Sequence, residues 1–147
     1  MIVALGIIGA ALLGLLAGVH LYWGCGGRWW TENIVPESEA GVPLFNPGPL
    51  GFFGVSVLLA MAAWILLARV GLVRIPLSDQ LVSIGAWTIG VLFLLRAVGD
   101  LRYAGIFRSI VGTRFAQWDA VIYTPLCLLL AALILSLCAL GSGSRTD

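Results

Sequence analysis

Four apolar runs divide the chain: Ile2 to Trp23, Leu50 to Leu72, Leu81 to Leu101 and Ala120 to Leu140. Each reaches the roughly 20 residues that a helix rising about 1.5 Å per residue needs to cross a hydrocarbon core about 30 Å thick. In lipid every backbone polar group must be satisfied within the protein, and runs this long and continuous do so as helices. The expected fold is all-α, an integral membrane four-helix bundle forming one domain over residues 1–147. The opening run lacks a basic amino-terminal region and is longer than the apolar stretch of a signal peptide, so it reads as an uncleaved helix.

The connections between the runs differ. Val73 to Gln80 is a short link marked by Arg74, Pro76 and Asp79. Gly24 to Pro49 is long, holds Trp29, Trp30, Glu32, Glu37 and Glu39, and ends in Asn46-Pro47-Gly48-Pro49, a strong breaker. Its glutamates read as solvated loop charges. Arg102 to Asp119 mixes arginines with Phe107, Ile110, Phe115 and Trp118. That pattern predicts an interfacial segment, a short helix with arginines toward phosphates and aromatics toward acyl chains, broken at Gly112-Thr113.

Crossing parity adds a constraint. With four crossings the first and third connections share one side of the membrane. His20, Tyr22, Arg96, Asp100, Arg102, Tyr103, Asp119 and Tyr123 therefore gather at one face, against Arg69, Arg74, Asp79 and Arg145 at the other. The arginines balance between the two sides. The expected orientation, with both termini cytoplasmic, rests on a narrow reading of the positive-inside rule.

Composition agrees with the pattern. The chain is 61% hydrophobic and 10% charged, with a mean hydropathy of +1.06, far from the usual soluble balance. A formal charge of +1 without a clustered basic surface argues against nucleic acid as a partner. Every basic residue is arginine, placed mostly beside apolar runs, which points to lipid phosphates as neighbours. Cys127 and Cys138 fall inside an apolar run as small hydrophobes, and Cys25 is the one candidate for a reactive thiol. A single histidine excludes an all-histidine metal site, and no motif for a nucleotide, a metal or redox chemistry occurs, so no cofactor is expected.

Several positions carry candidate chemistry. Arg96 and Asp100, spaced i, i+4 on the third helix, are expected to form an ion pair, with Arg96 about 6 Å deeper in the membrane. Ionisable groups in a membrane segment are costly, which makes them functional candidates. His20 shares an arc with Gly9, Leu13 and Ala17 and has a side chain suited to proton transfer. Asp119, Tyr123 and Cys127 recur at i, i+4 and i+8 on the fourth helix. Asp119 is either an amino-terminal cap or half of an acid/base pair with Asp100. Gly6, Ala10, Gly14 and Gly18 form a small-residue ridge for close packing in the bundle or a homodimer. Trp29, Trp30 and Trp118 read as interfacial anchors.

The blocks His20-Leu21-Tyr22-Trp23 with Gly26-Gly27, Arg96-Ala97-Val98-Gly99-Asp100-Leu101-Arg102-Tyr103 with Phe107, and Thr113-Arg114-Phe115-Ala116 through Asp119, Tyr123, Pro125, Leu126 and Cys127 resemble a family of small bacterial integral membrane proteins, a domain of unknown function. The resemblance spans nearly the whole chain and implies a four-helix protein of the bacterial inner membrane, without an activity.

The leading reading is a polar interfacial pocket for a small amphipathic or lipid-like ligand. Arg96, Arg102, Tyr22, Tyr103 and Tyr123 would bind it, while Asp100, Asp119 and His20 are the candidates for cofactor-free acid/base catalysis of an isomerase, hydratase or cyclase type. A proton-coupled transporter acting as an oligomer and an accessory subunit whose polar cluster only fixes packing remain beside it.

Overall fold

The computed structural model describes residues 1–142. Four helical rods long and apolar enough to cross a membrane make up a four-helix membrane bundle. They are α1 (Ile2–Gly24), α2 (Gly48–Arg69), α3 (Asp79–Val98) and a last rod of three segments, α4 (Arg114–Trp118), a π-helical turn (Asp119–Tyr123) and α5 (Thr124–Ser142). Arg145, assigned from the sequence to the face away from the polar cluster, lies outside the described residues.

Small residues let the helices approach. Gly6 lies under Val70 and Gly9 under Leu66, joining α1 to α2, while Gly90 receives Leu135 and Ile134 of α5. Ser56 Oγ donates to the Ala17 carbonyl at 2.8 Å, an interhelical bond of the kind that contributes about 0.6 kcal/mol in a membrane bundle. Leu13, Leu66, Leu130, Ile134, Leu137 and Cys138 fill the centre. The small-residue ridge of α1 divides: Gly6 and Ala10 are buried in the bundle, whereas Gly14 and Gly18 are exposed. The arc Gly9, Leu13 and Ala17 faces inward as its spacing required.

Glycine and proline set the helix limits. At the ends of α1 and α2, Gly26 (φ +93°) and Gly71 (φ +76°) adopt the left-handed conformation. There Gly27 N–H bonds to Tyr22 O and Leu72 N–H to Leu67 O, the pattern that satisfies the last carbonyls of a helix. Helix α2 starts two residues before Leu50, because Pro49 supplies a pre-set φ and needs no donor in the first turn.

Two boundaries depart from expectation in ways that matter for the site. Helix α3 ends at Val98 rather than Leu101, since Gly99 at φ +90° turns the chain out of the helix. The last rod begins at Arg114 rather than Ala120, with Thr113 Oγ1 accepting from Ala116 N–H as its cap. The short interfacial helix expected between them does not form: residues 99–113 run as turns and bends, and the short helix after Thr113 continues into the last rod.

Candidate functional site

Asp119 is the centre of the polar face. It is 0% exposed, on a π turn one residue longer than an α-helix allows. Pro125, which has no N–H to give to the carbonyl four residues back, accounts for the irregularity. Thr124 N–H instead bonds to Asp119 O, five residues back, and Thr124 Oγ1 donates to Asp119 Oδ2 at 2.9 Å. Arg96 Nη2 donates to Oδ1 at 2.8 Å. Gly105 N–H donates to Oδ2 at 2.8 Å, and Arg108 Nη1 reaches the same oxygen at 3.4 Å. One buried carboxylate thus ties together α3, the loop after it and the last rod.

That loop is shaped to deliver the donors. Gly99 and Gly105, both with φ near +90° (+90° and +88°), lie backbone against backbone. A Cβ on Gly99 would strike the Ala104 carbonyl, and one on Gly105 would strike Gly99 itself. Ile106 N–H then caps Ala97 O at 2.9 Å. Asp100 Oδ1 accepts from the backbone N–H groups of Arg102, Tyr103 and Ala104 at 3.0, 2.7 and 3.0 Å. Its slight burial works to raise its pKa, but the N–H groups of Ala104, Tyr103 and Arg102 outweigh that and hold it below the ordinary carboxylate value.

The long first loop closes over this arrangement. Trp30 Nε1 donates to Tyr123 Oη at 2.9 Å, and Tyr123 donates in turn to Asn33 O at 3.1 Å. Trp30 also packs edge-on against Trp118, with ring centroids 4.5 Å apart. Outside this layer Arg114 bonds Glu32 through its guanidinium and Glu37 through its backbone N–H, both at 3.1 Å. Two of the three loop glutamates therefore meet the start of the last rod, where the helix dipole favours negative charge.

The expected ion pair between Arg96 and Asp100 does not form. Asp100 lies beyond the end of α3, and Arg96 turns to Asp119. Nor is Asp119 a cap, because the rod starts five residues earlier. His20 keeps to its own helix, with Nδ1 on Leu16 O at 2.8 Å and its ring against Trp23. Tyr22 is exposed and covers Gly27. Arg102 lies over the Tyr103 ring at 5.3 Å. Arg108, Thr124, Gly105 and Asn33 complete the network and were not singled out from the sequence. The glycines after Val98 and before Ile106 were the one available signal, since glycine inside a polar block marks a close backbone approach.

Beside the network is a crevice of about 410 Å³, walled by Ile34, Pro36, Phe45, Leu95, Ala104 and Phe115, with Arg96, Gly99 and Asp100 also lining it. Arg96 is 38% exposed. Its Nη1 is buried with no hydrogen-bond partner among the described residues, as is Nε of Arg108.

Neither a curated protein nor a solved structure matches the chain. A family model described as "Protein of unknown function (DUF3995)" matches residues 4–134, a span that holds nearly all of α1, α2, α3, the Asp119 network and more than half of α5. By that match the chain belongs to the DUF3995 family of proteins of unknown function.

Proposed function

We propose that this protein holds an amphipathic, lipid-like ligand in the crevice beside Arg96, with an anionic group of the ligand on the guanidinium and its apolar part against Ile34, Phe45, Leu95 and Phe115. The observation that carries the reading is the state of Arg96. Its Nη2 is committed to Asp119, its buried Nη1 has no partner among the described residues, and the side chain, part-exposed, lines an apolar-walled crevice. The exposed part of the guanidinium can donate to an anionic group of a ligand, a charge-assisted hydrogen bond stronger than a neutral one. Arg96 and Arg108 also place two positive charges around the single negative charge of Asp119, so Asp119 alone does not neutralise them and Arg96 can take an anionic group of a ligand. In this reading Asp119 is a positioning residue, and any acid/base step falls to Asp100, the exposed carboxylate of the crevice.

A bracing role is the second reading, favoured by the four donors on Asp119 and its full burial. Native mass spectrometry of protein purified from membranes in a neutral detergent separates the two. The ligand reading expects a retained amphiphile on the wild type and loss of most of it from Phe45→Asp, which alters a crevice wall outside the ion network. Equal retention by both would leave only the bracing role.

A further inference from the structure

The crevice holds one negative charge as well as one positive. Among the described residues Arg96 and Asp100 are the only charged ones lining it, and they differ in what remains open on each. Arg96 keeps part of its side chain exposed beside its bond to Asp119. Asp100 is exposed, and the three backbone donors it accepts all fall on Oδ1, leaving Oδ2 with no hydrogen bond from a described residue. Those N–H groups also keep the carboxyl ionised, because they favour its charged form. Arg102, two residues from Asp100 in sequence, is placed over the ring of Tyr103 and does not line the crevice. With Arg96 and Arg108 positive and Asp119 and Asp100 negative, the four side chains sum to zero. An anionic head would leave this neutral set with an uncompensated charge and would face Asp100 across the crevice. A head carrying both signs would not.

We infer that the crevice selects a zwitterionic phospho-ammonium amphiphile, its phosphate on Arg96 and its primary ammonium on Asp100 Oδ2, with the acyl chains along Leu95, Phe45 and Phe115. This rests on the ligand reading above and names the chemical class. The ammonium contributes charge-assisted hydrogen bonds to the free carboxylate oxygen, which a glycerol head cannot match in charge. The apolar walls favour a lipid over its soluble headgroup, because the head alone would leave them in water.

The test is competition in neutral detergent, read by native mass spectrometry, between dioleoyl phosphatidylethanolamine and dioleoyl phosphatidylglycerol at equal concentration. Wild type is expected to retain the ethanolamine lipid about tenfold over the glycerol lipid, the ratio that one charge-assisted hydrogen bond supplies. Asp100→Asn keeps an oxygen for the three backbone donors and loses the charge, so it should bring the ratio close to one while the glycerol lipid still binds. Soluble glycerophosphoethanolamine should not displace the lipid at matching concentration; displacement would overturn the assignment to a lipid. A wild-type ratio at or below one, or a ratio unchanged by Asp100→Asn, would overturn the zwitterion assignment while leaving the crevice a ligand site. Retention of neither lipid, or equal retention of both by wild type and Phe45→Asp, would instead remove the ligand reading itself.

Discussion

Thr124 Oγ1 donates to Asp119 Oδ2 at 2.9 Å across five residues. In a regular α-helix, at 3.6 residues per turn, positions five apart point about 140° away from each other. The π turn from Asp119 to Tyr123 brings them into line, and such single turns inside an α-helix recur at functional sites. Thr124→Val preserves shape and removes the hydroxyl. It is expected to lower stability by about 1.5–3 kcal/mol, the range for a hydrogen bond to a charged group. Unfolding in mixed micelles measures it.

Asp119→Ala should be the most damaging change in the polar cluster. It leaves the Arg96 and Arg108 guanidinium groups without their counter-ion and Gly105 N–H without its acceptor. Removing one partner of a buried ion pair costs about 3–5 kcal/mol. Asp119→Asn keeps one accepting oxygen, though its NH2 faces a donor in place of the other, and should cost less. The ordering Ala worse than Asn, read from thermal unfolding by circular dichroism, checks that the charge and the hydrogen bonds both contribute. Equal losses would assign the whole effect to the charge.

Much of the architecture is legible in the sequence, and the reason is physical. Four runs of lipid-crossing length can satisfy their backbones only as helices, and parity then places two connections on one side. The contacts of Trp30 and Asn33 with Tyr123, and of Glu32 and Glu37 with Arg114, bear this out. The ion pairing was not legible. Spacing joins Arg96 to Asp100 only if the helix continues through Gly99, and a left-handed glycine ends it there. Arg108 reaches Asp119 through the fold of a loop, and Thr124 does so through a π register, neither of which leaves a periodic trace in the chain.

The glycine pair in that loop supports a third prediction. Gly99→Ala and Gly105→Ala each combine a disfavoured positive φ with a backbone collision, and both should release the loop and weaken the grip of Gly105 on Asp119. Gly26→Ala is the control. It has the same kind of φ, +93°, but open space around it, so it should show only the conformational penalty of about 1 kcal/mol. The comparison is made by hydrogen exchange at Ile106, whose N–H caps Ala97.

Tyr123→Phe tests how the first loop is held. The hydroxyl accepts from Trp30 and donates to Asn33, so its loss removes two bonds that hold the loop over the site. The fold should persist, with a loss of about 1–2 kcal/mol, while the loop between Trp30 and Phe45 becomes a better protease substrate. Limited proteolysis of wild type and variant in the same detergent reads this, and unchanged cleavage would show that the Trp30–Trp118 contact and the Arg114 bonds suffice.

The last prediction concerns pH and Asp100. Its carboxyl is held below its ordinary value of 3.8 because backbone N–H groups outweigh the effect of burial. A depressed folded-state value means that the unfolded chain binds the proton more readily, so stability rises with pH across this window. The contribution of Asp100 to the loop is fully present above its ordinary value and is lost as pH falls through the lower folded value. Amide protection at Arg102, Tyr103 and Ala104 should therefore hold down to about pH 4 and decline below it. In Asp100→Asn the same amides should show no such titration, because the amide oxygen accepts the bonds at every pH. Protection that declines equally in both proteins would locate the acid transition away from Asp100.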